Sequence, residues 1–267
     1  MGPALLLRAL FKRAQQQGAV TELTSAYRLD ALPLDDIARY RAAFGFKGER
    51  VPLTWWYFLA QRAHLVTMLG PGFPFRIVGL VHMDNALRAF QDPSPSEPLL
   101  IETILRLLPP ASSGALRCVL ETTGSADSEP VFSCTSTYLI QRGARGGKKR
   151  EDEVMPQGAA IAQWTLDAAA GRRYARLSGD WNPIHLTRWS ARLMGMRAPI
   201  IHGMHSLGAS CAALERETGR TAIAIDCRFR APVALGSSVT LAFDAATREF
   251  TVSAAGKPAV AGLIVLG

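Results

Sequence analysis

Charge is sparse in this chain, histidine and cysteine are sparser, and no long apolar run occurs. Charged residues make up 19% of the 267 positions and hydrophobic ones 48%. That balance excludes a disordered polyelectrolyte and an extended coiled coil, and describes a globular protein with a sizeable core. No stretch approaches the roughly 20 apolar residues that a membrane-spanning helix needs. The four cysteines, Cys118, Cys134, Cys211 and Cys227, lack metal-ligand spacing and sit in apolar surroundings, so they read as buried thiols in a reducing compartment, with no metal site. No acid precedes Glu22, and the basic, apolar start invites a targeting reading. Its apolar core is short and broken by Arg8, which argues against a secretory signal. A cytoplasmic location is expected, with the mitochondrial matrix as the alternative, and residues 3–16 are expected to form a short amphipathic helix ended by Gly18.

The pattern along the chain predicts helix and strand in two successive sets. Residues 34–44 read as a helix with Asp35 and Asp36 in its first turn, where acids suit the helix dipole. Residues 55–69 are apolar nearly all round, the mark of a helix buried on most sides. Strands are expected over 76–90, 98–107, 115–123 and 131–141. The segment 141–153 is rich in glycine and charge, can bury little, and reads as an exposed linker. The second set begins with a strand over 161–166, a helix over 168–177 and a long helix over 204–218. Alternating apolar positions then mark four strands, through Ile223–Phe229, Val239–Phe243, Phe250–Val252 and Val260–Leu266.

Between the helices of the second set lies Tyr174-Ala-Arg-Leu-Ser-Gly-Asp-Trp-Asn-Pro-Ile-His185. Pro183 fixes its own φ and biases Asn182 away from the helical region, so residues 179–184 are expected to form a rigid loop. Such a loop can aim the Asp180 carboxylate and the His185 imidazole at one point, which is general acid/base equipment. Taken singly, each of these residues also suits turn closure or helix capping. Taken together, Tyr-x-x-Leu-Ser-Gly-Asp-x-Asn-Pro-Ile-His with Ala191 following resembles the motif of the MaoC-like (R)-specific enoyl-CoA hydratases and 3-hydroxyacyl-thioester dehydratases.

That resemblance implies an α+β double hot-dog fold, each repeat an antiparallel sheet wrapped around a long central helix. The expected division is a degenerate repeat over 1–143, a linker over 144–158 and a catalytic repeat over 159–267. Tyr40-Arg-Ala-Ala-Phe-Gly45 matches Tyr174 to Gly179, and Val51-Pro52 matches Ala198-Pro199. The first half has no Asp and His loop between these anchors.

The resemblance also implies a hydro-lyase activity, with reversible hydration of trans-2-enoyl thioesters and catalytic roles for Asp180 and His185. Gly203, at the start of the long helix, is expected to offer its N–H to the thioester oxygen, and Asn182 and Ser178 are further candidates beside the substrate. His202 and His205 are given structural or supporting roles. The substrate would arrive on coenzyme A or on an acyl carrier protein, with no other cofactor, and two chains could pair as a homodimer. Trp55, Trp56, Phe58, Phe73 and Phe75 make a bulky acyl group plausible. The net charge of +8 concentrates near the motif as Arg172, Arg173, Arg176, Arg188, Arg192 and Arg197. All but Arg176 are candidates for holding phosphate, against the simpler reading of a solvated basic face. No nucleic-acid motif accompanies the charge. The alternative function is a non-catalytic acyl-thioester-binding or scaffold protein of the same fold.

Overall fold

The computed structural model describes residues 5, 8, 9, 11–14, 21–141 and 158–267. In chain order the elements are β1 (Glu22–Leu29), α1 (Leu34–Phe44), α2 (Tyr57–Leu69), β2 (Val81–Ala89), β3 (Leu99–Leu107), β4 (Leu116–Ala126) and β5 (Glu129–Gln141), then β6 (Ala159–Thr165), α3 (Ala170–Ser178), α4 (Arg188–Leu193), α5 (Gly203–Thr218), β7 (Ala222–Phe229), β8 (Ser238–Asp244), β9 (Glu249–Ala254) and β10 (Lys257–Leu266). Single 3-10 turns occupy Leu53–Trp55 and Pro183–His185. Among the described residues no helix is long and apolar enough to cross a membrane.

Two compact units interleave in sequence. One, the motif unit, comprises Leu34–Trp55 and Met155–Gly267; the other, the companion unit, comprises Gly2–Pro33 and Trp56–Val154. The companion unit holds an antiparallel sheet in the order β1-β3-β4-β5-β2. The motif unit holds one in the order β6-β8-β9-β10-β7. Counted within each unit, both orders read first, third, fourth, fifth, second. The shared order supports the duplication that the two short sequence matches suggest.

Each sheet packs on one helix. In the companion unit α2 lies against β1, β3 and β4 and buries Tyr57, Leu59, Ala60, Ala63, His64, Leu65, Thr67 and Met68. Burial on all but the Arg62 and Val66 side fits its largely apolar pattern. Strand β3 shows the complementary period of two, with Leu99, Ile101, Thr103 and Leu105 turned inward. The aromatic residues Trp55, Trp56 and Phe73 are fully packed core. Trp56 stacks on Phe132 at 5.2 Å, an arrangement worth about 1 kcal/mol beyond the area it buries. In the motif unit α5 packs against β6 and β7.

Helix α1 departs from the linear division at residue 143. It belongs to the motif unit, against α3 and α5. Tyr40 is wholly buried and donates to Thr54 Oγ1 at 2.9 Å. Gly208 of α5 makes this approach possible, because a Cβ there would lie 2.5 Å from the Tyr40 hydroxyl. Beyond α1 the backbone N–H groups of Lys47 and Gly48 donate to the buried Glu215 carboxylate at 2.6 and 2.7 Å. Arg216 Nη1 donates to the carbonyl of Phe44 at 2.9 Å, closing the end of α1. Helices α1 and α3 both terminate on a left-handed glycine, Gly45 (φ 74°) and Gly179 (φ 73°), which is the termination glycine allows at least cost.

Other elements differ from expectation in definable ways. Strand β1 has no counterpart in the sequence reading; its inward positions Leu23, Ser25, Tyr27 and Leu29 alternate correctly, but Ser25 weakens the apolar signal. Strand β2 starts at Val81 and not at residue 76, following Gly79 at φ 98°. Half of the expected helix over 3–16 and nearly all of the linker over 144–158 lie outside the described residues.

The Glu215 carboxylate carries two charge-assisted bonds, each worth about 1.5–3 kcal/mol. Glu215→Ala should lower unfolding free energy by about 3 kcal/mol, measured as a lower urea midpoint. Glu215→Gln, which keeps an acceptor oxygen, should lose less.

Candidate active site

The motif loop is held at every turn. Ser178 Oγ donates to the Tyr174 carbonyl at 2.9 Å and accepts the N–H of Asp180 at 3.1 Å. The N–H of Asn182 donates to Asp180 Oδ1 at 3.1 Å, and Asn182 Oδ1 accepts from Ile184 N at 3.3 Å. Ser178 and Asn182 thus brace the loop and orient the carboxylate. Pro183 at the first position of the 3-10 turn carries the chain into His185, so the proline that prevents an α-helix here starts a single tighter turn.

His185 is fixed by one peptide unit on a neighbouring segment. Its Nδ1–H donates to the Ile200 carbonyl at 2.9 Å, while Ile200 N–H donates to the Ile184 carbonyl at 3.1 Å. A carbonyl can only accept, so the neutral ring carries its proton on Nδ1 and keeps the lone pair on Nε2. Burial lowers the His185 pKa below its ordinary value, opposed by the charge of Asp180 and by the Ile200 carbonyl. The imidazole is therefore uncharged near neutral pH and available as a base.

His202 lies under this pair. Its Nε2–H donates to the backbone carbonyl of Asp180 at 3.0 Å, and its ring stacks on that of His185 with centroids 3.6 Å apart at 26°. Its Nδ1 is buried with no hydrogen-bond partner among the described residues. Burial first, then the His185 ring, push its pKa down to about 3. Tyr174 packs beneath, 4.8 Å from the His202 ring and 5.5 Å from His205. His205 is likewise pushed down to about 4 by burial and by Arg173.

Gly171, which the sequence reading passed over, and Arg172, which it read as a phosphate ligand, set the loop against α3. A Cβ at Gly171 would stand 2.0 Å from the His185 carbonyl oxygen. Arg172 Nη1 donates to the Leu186 carbonyl at 2.9 Å. Of the other arginines, Arg173 forms a forked pair with Asp167 at 2.9 and 2.7 Å. Neither Arg172 nor Arg173 is thus a free phosphate ligand, while Arg188, Arg192 and Arg197 are exposed.

Gly203 opens α5, so its N–H has no acceptor within the helix. The reason for glycine here is packing: a Cβ would stand 2.5 Å from the Phe229 ring. Ligand atoms of Asp180, His185 and His202 all lie within 4.8 Å of one another, the one such group found among the described residues. The sequence spacing shows no such cluster.

Residues 156–250 match the family described as "MaoC like domain". The chain carries a MaoC-like domain. It is 28% identical to 3-hydroxyacyl-thioester dehydratase X of Mycobacterium tuberculosis over 221 residues, 80% of this chain and 78% of that protein. The crystal structure of that organism's HtdX superposes with a TM-score of 0.73 at 23% identity, covering 90% of this chain and 99% of that one. Mouse peroxisomal multifunctional enzyme type 2 is 26% identical over 181 residues, 63% of this chain, and the chain spans about a quarter (24%) of that enzyme. A second M. tuberculosis protein, described as having a double hot-dog fold, matches at 14% identity with a TM-score of 0.56, over 93% of this chain and 97% of its own. The fold around the MaoC-like domain is thus the double hot-dog.

Gly171→Ala should move the His185 backbone and cost at least tenfold in turnover, with near-native circular dichroism, wherever the activity is assayed. Stability should also fall with acid. His64 of α2, which burial and then His82 bring to about 3, and His202 are both neutral in the folded chain. Below the ordinary imidazole value near 6.5 the unfolded chain binds protons that the folded chain refuses, until the pH nears 3. Stability is then complete above pH 6.5 and falls by up to about 1.4 kcal/mol per pH unit for each histidine below it. Urea midpoints at pH 7 and pH 5 measure the loss.

Proposed function

We propose that this protein catalyses the reversible hydration of trans-2-enoyl thioesters, equivalently the dehydration of (R)-3-hydroxyacyl thioesters, by activating one water between Asp180 and His185. The observation that carries the reading is the His185 tautomer: Nδ1–H is committed to Ile200, leaving Nε2 as the acceptor beside a carboxylate. In the hydration direction the water donates one hydrogen bond to Asp180 and one to His185 Nε2. As its oxygen bonds to the β-carbon, Nε2 takes one proton. The pair then returns a proton to the α-carbon, so the sum is addition of one water with no external acid consumed. Negative charge that gathers on the thioester oxygen meets the N–H groups opening α5 at Gly203.

The names of the relatives support the substrate class, since 3-hydroxyacyl-thioester dehydratase X shares most of its length with this chain. The proposal extends to a reaction needing no cofactor beyond the thioester's own carrier, and to a cytoplasmic location. Because Trp55, Trp56 and Phe73 are packed core, acyl preference is read by experiment and not from these rings.

The test is loss of the enoyl thioester absorbance on mixing the protein with crotonyl, octenoyl and dodecenoyl coenzyme A. Removing one partner of a general acid/base pair costs about 10²–10⁴-fold, so Asp180→Asn and His185→Ala should each lower kcat by that order while remaining folded. Full activity in either variant would refute the assignment. The acid limb of kcat/KM should fall below the ordinary imidazole value, in the direction of the His185 shift.

A further inference from the structure

Three residues past His185 the chain enters α4, a helix with an unusual outer surface. Trp189 is 73% exposed and Leu193 68%, and Trp181 in the motif loop is 41% exposed. Trp189 and Leu193 stand at i and i+4, as do Arg188 and Arg192, so the helix presents an apolar pair beside a cationic pair. Arg197 follows, also exposed. Among the described residues the side chains of Arg188, Arg192 and Arg197 make no ion pair or hydrogen bond. The only acid between residues 171 and 197 is Asp180, which faces the site.

This surface is built to stay in place. Thr187 and Ser190 form a reciprocal capping box, Ser190 Oγ donates to the Pro183 carbonyl at 2.8 Å, and Ala191 is fully buried. A rigid helix exposing tryptophan and leucine between arginines loses little conformational freedom on binding. Aromatic residues and arginine are also the side chains that anchor protein interfaces. The phosphates of a small carrier would need only the cations. The apolar pair calls for a partner with apolar groups of its own, set among acids.

Resting on the hydratase reading, we propose that α4, with Trp181 and Arg197, docks an acidic acyl carrier protein through an amphipathic helix of that partner. The docked carrier then delivers its pantetheine-linked enoyl group to Asp180 and His185. Trp189 is four positions from His185 in sequence, so chain geometry keeps their Cα atoms within about 14 Å. A carrier seated on α4 is therefore beside the reacting pair.

The experiment compares the native protein, Trp189→Ala and the double variant Trp189→Ala, Leu193→Ala, using the same enoyl group on a holo acyl carrier protein and on coenzyme A. Expected is a fall of at least about tenfold in kcat/KM for the carrier-bound substrate, with the coenzyme A value within about twofold. The coenzyme A rate also certifies that each variant is folded. Added salt should slow only the carrier-bound reaction. An equal fall on both substrates would make the apolar pair a support of the reacting site itself, and no fall would remove the surface from function; either overturns the proposal. So does tighter binding to phosphatidylglycerol vesicles than to the carrier, or a change of molar mass by light scattering in Trp189→Ala, which would assign the patch to lipid or to a second copy. If the native protein turns over neither thioester, the hydratase reading fails on its own. Docking is then decided by titrating holo carrier onto native and variant protein. Binding that the double variant loses upholds the surface, and absence of binding to the native protein ends it.

Discussion

The site depends on the hydrogen bond from His185 to the carbonyl of Ile200. It chooses the tautomer, and with burial it decides that the ring is a neutral acceptor. The acceptor carbonyl is itself fixed. Ile200 pairs with Ala234 in an isolated bridge, Leu235 N–H donates to the Pro199 carbonyl at 2.9 Å, and Ile201 N–H donates to the Val233 carbonyl at 2.8 Å. A short extended segment ahead of α5 thus sets the chemistry of a side chain fifteen residues earlier. His202, stacked on the His185 ring and bonded to the Asp180 backbone, ties the same segment to the other half of the pair. The price of this arrangement is a cluster of imidazoles that resist protonation.

The motif loop was legible because its constraints are local. Asn182, Pro183 and Ser178 act within a few residues of the groups they hold, and their turn chemistry shows in the letters. The partners across the fold were not. A backbone carbonyl such as that of Ile200 has no sequence signature, and Gly171 looks like any helix-opening glycine until His185 is brought against it. Gly203 was read as an N–H donor to the thioester oxygen, and nothing in the sequence shows that its missing side chain also makes room for Phe229. The arginines illustrate the opposite error. Six cations in one stretch look alike in sequence, yet Arg172 is spent on Leu186 and Arg173 on Asp167.

Strand order gives the duplication a firmer footing than the two short sequence matches. Both units place their strands identically, and both hold their long helix between the first and second strands. The repeats differ in what joins the short helix to the long one. In the second repeat, residues 179–202 hold the Asp and His loop, α4 and the Ile200 segment. The first repeat spans the corresponding gap with residues 45–56, which hold a turn fastened to Glu215 and the 3-10 turn at Leu53–Trp55.

Helix α1 belongs in sequence to one repeat and in space to the unit of the other. Once Tyr40, Gly208 and Glu215 had come to depend on that arrangement, the first repeat could not be deleted, or split off as an independent gene, without leaving the second short of part of its own core. The helix thus acts as a ratchet on the history of the protein. It explains how a half without the reactive pair is retained: its sequence supplies a piece of the half that has it.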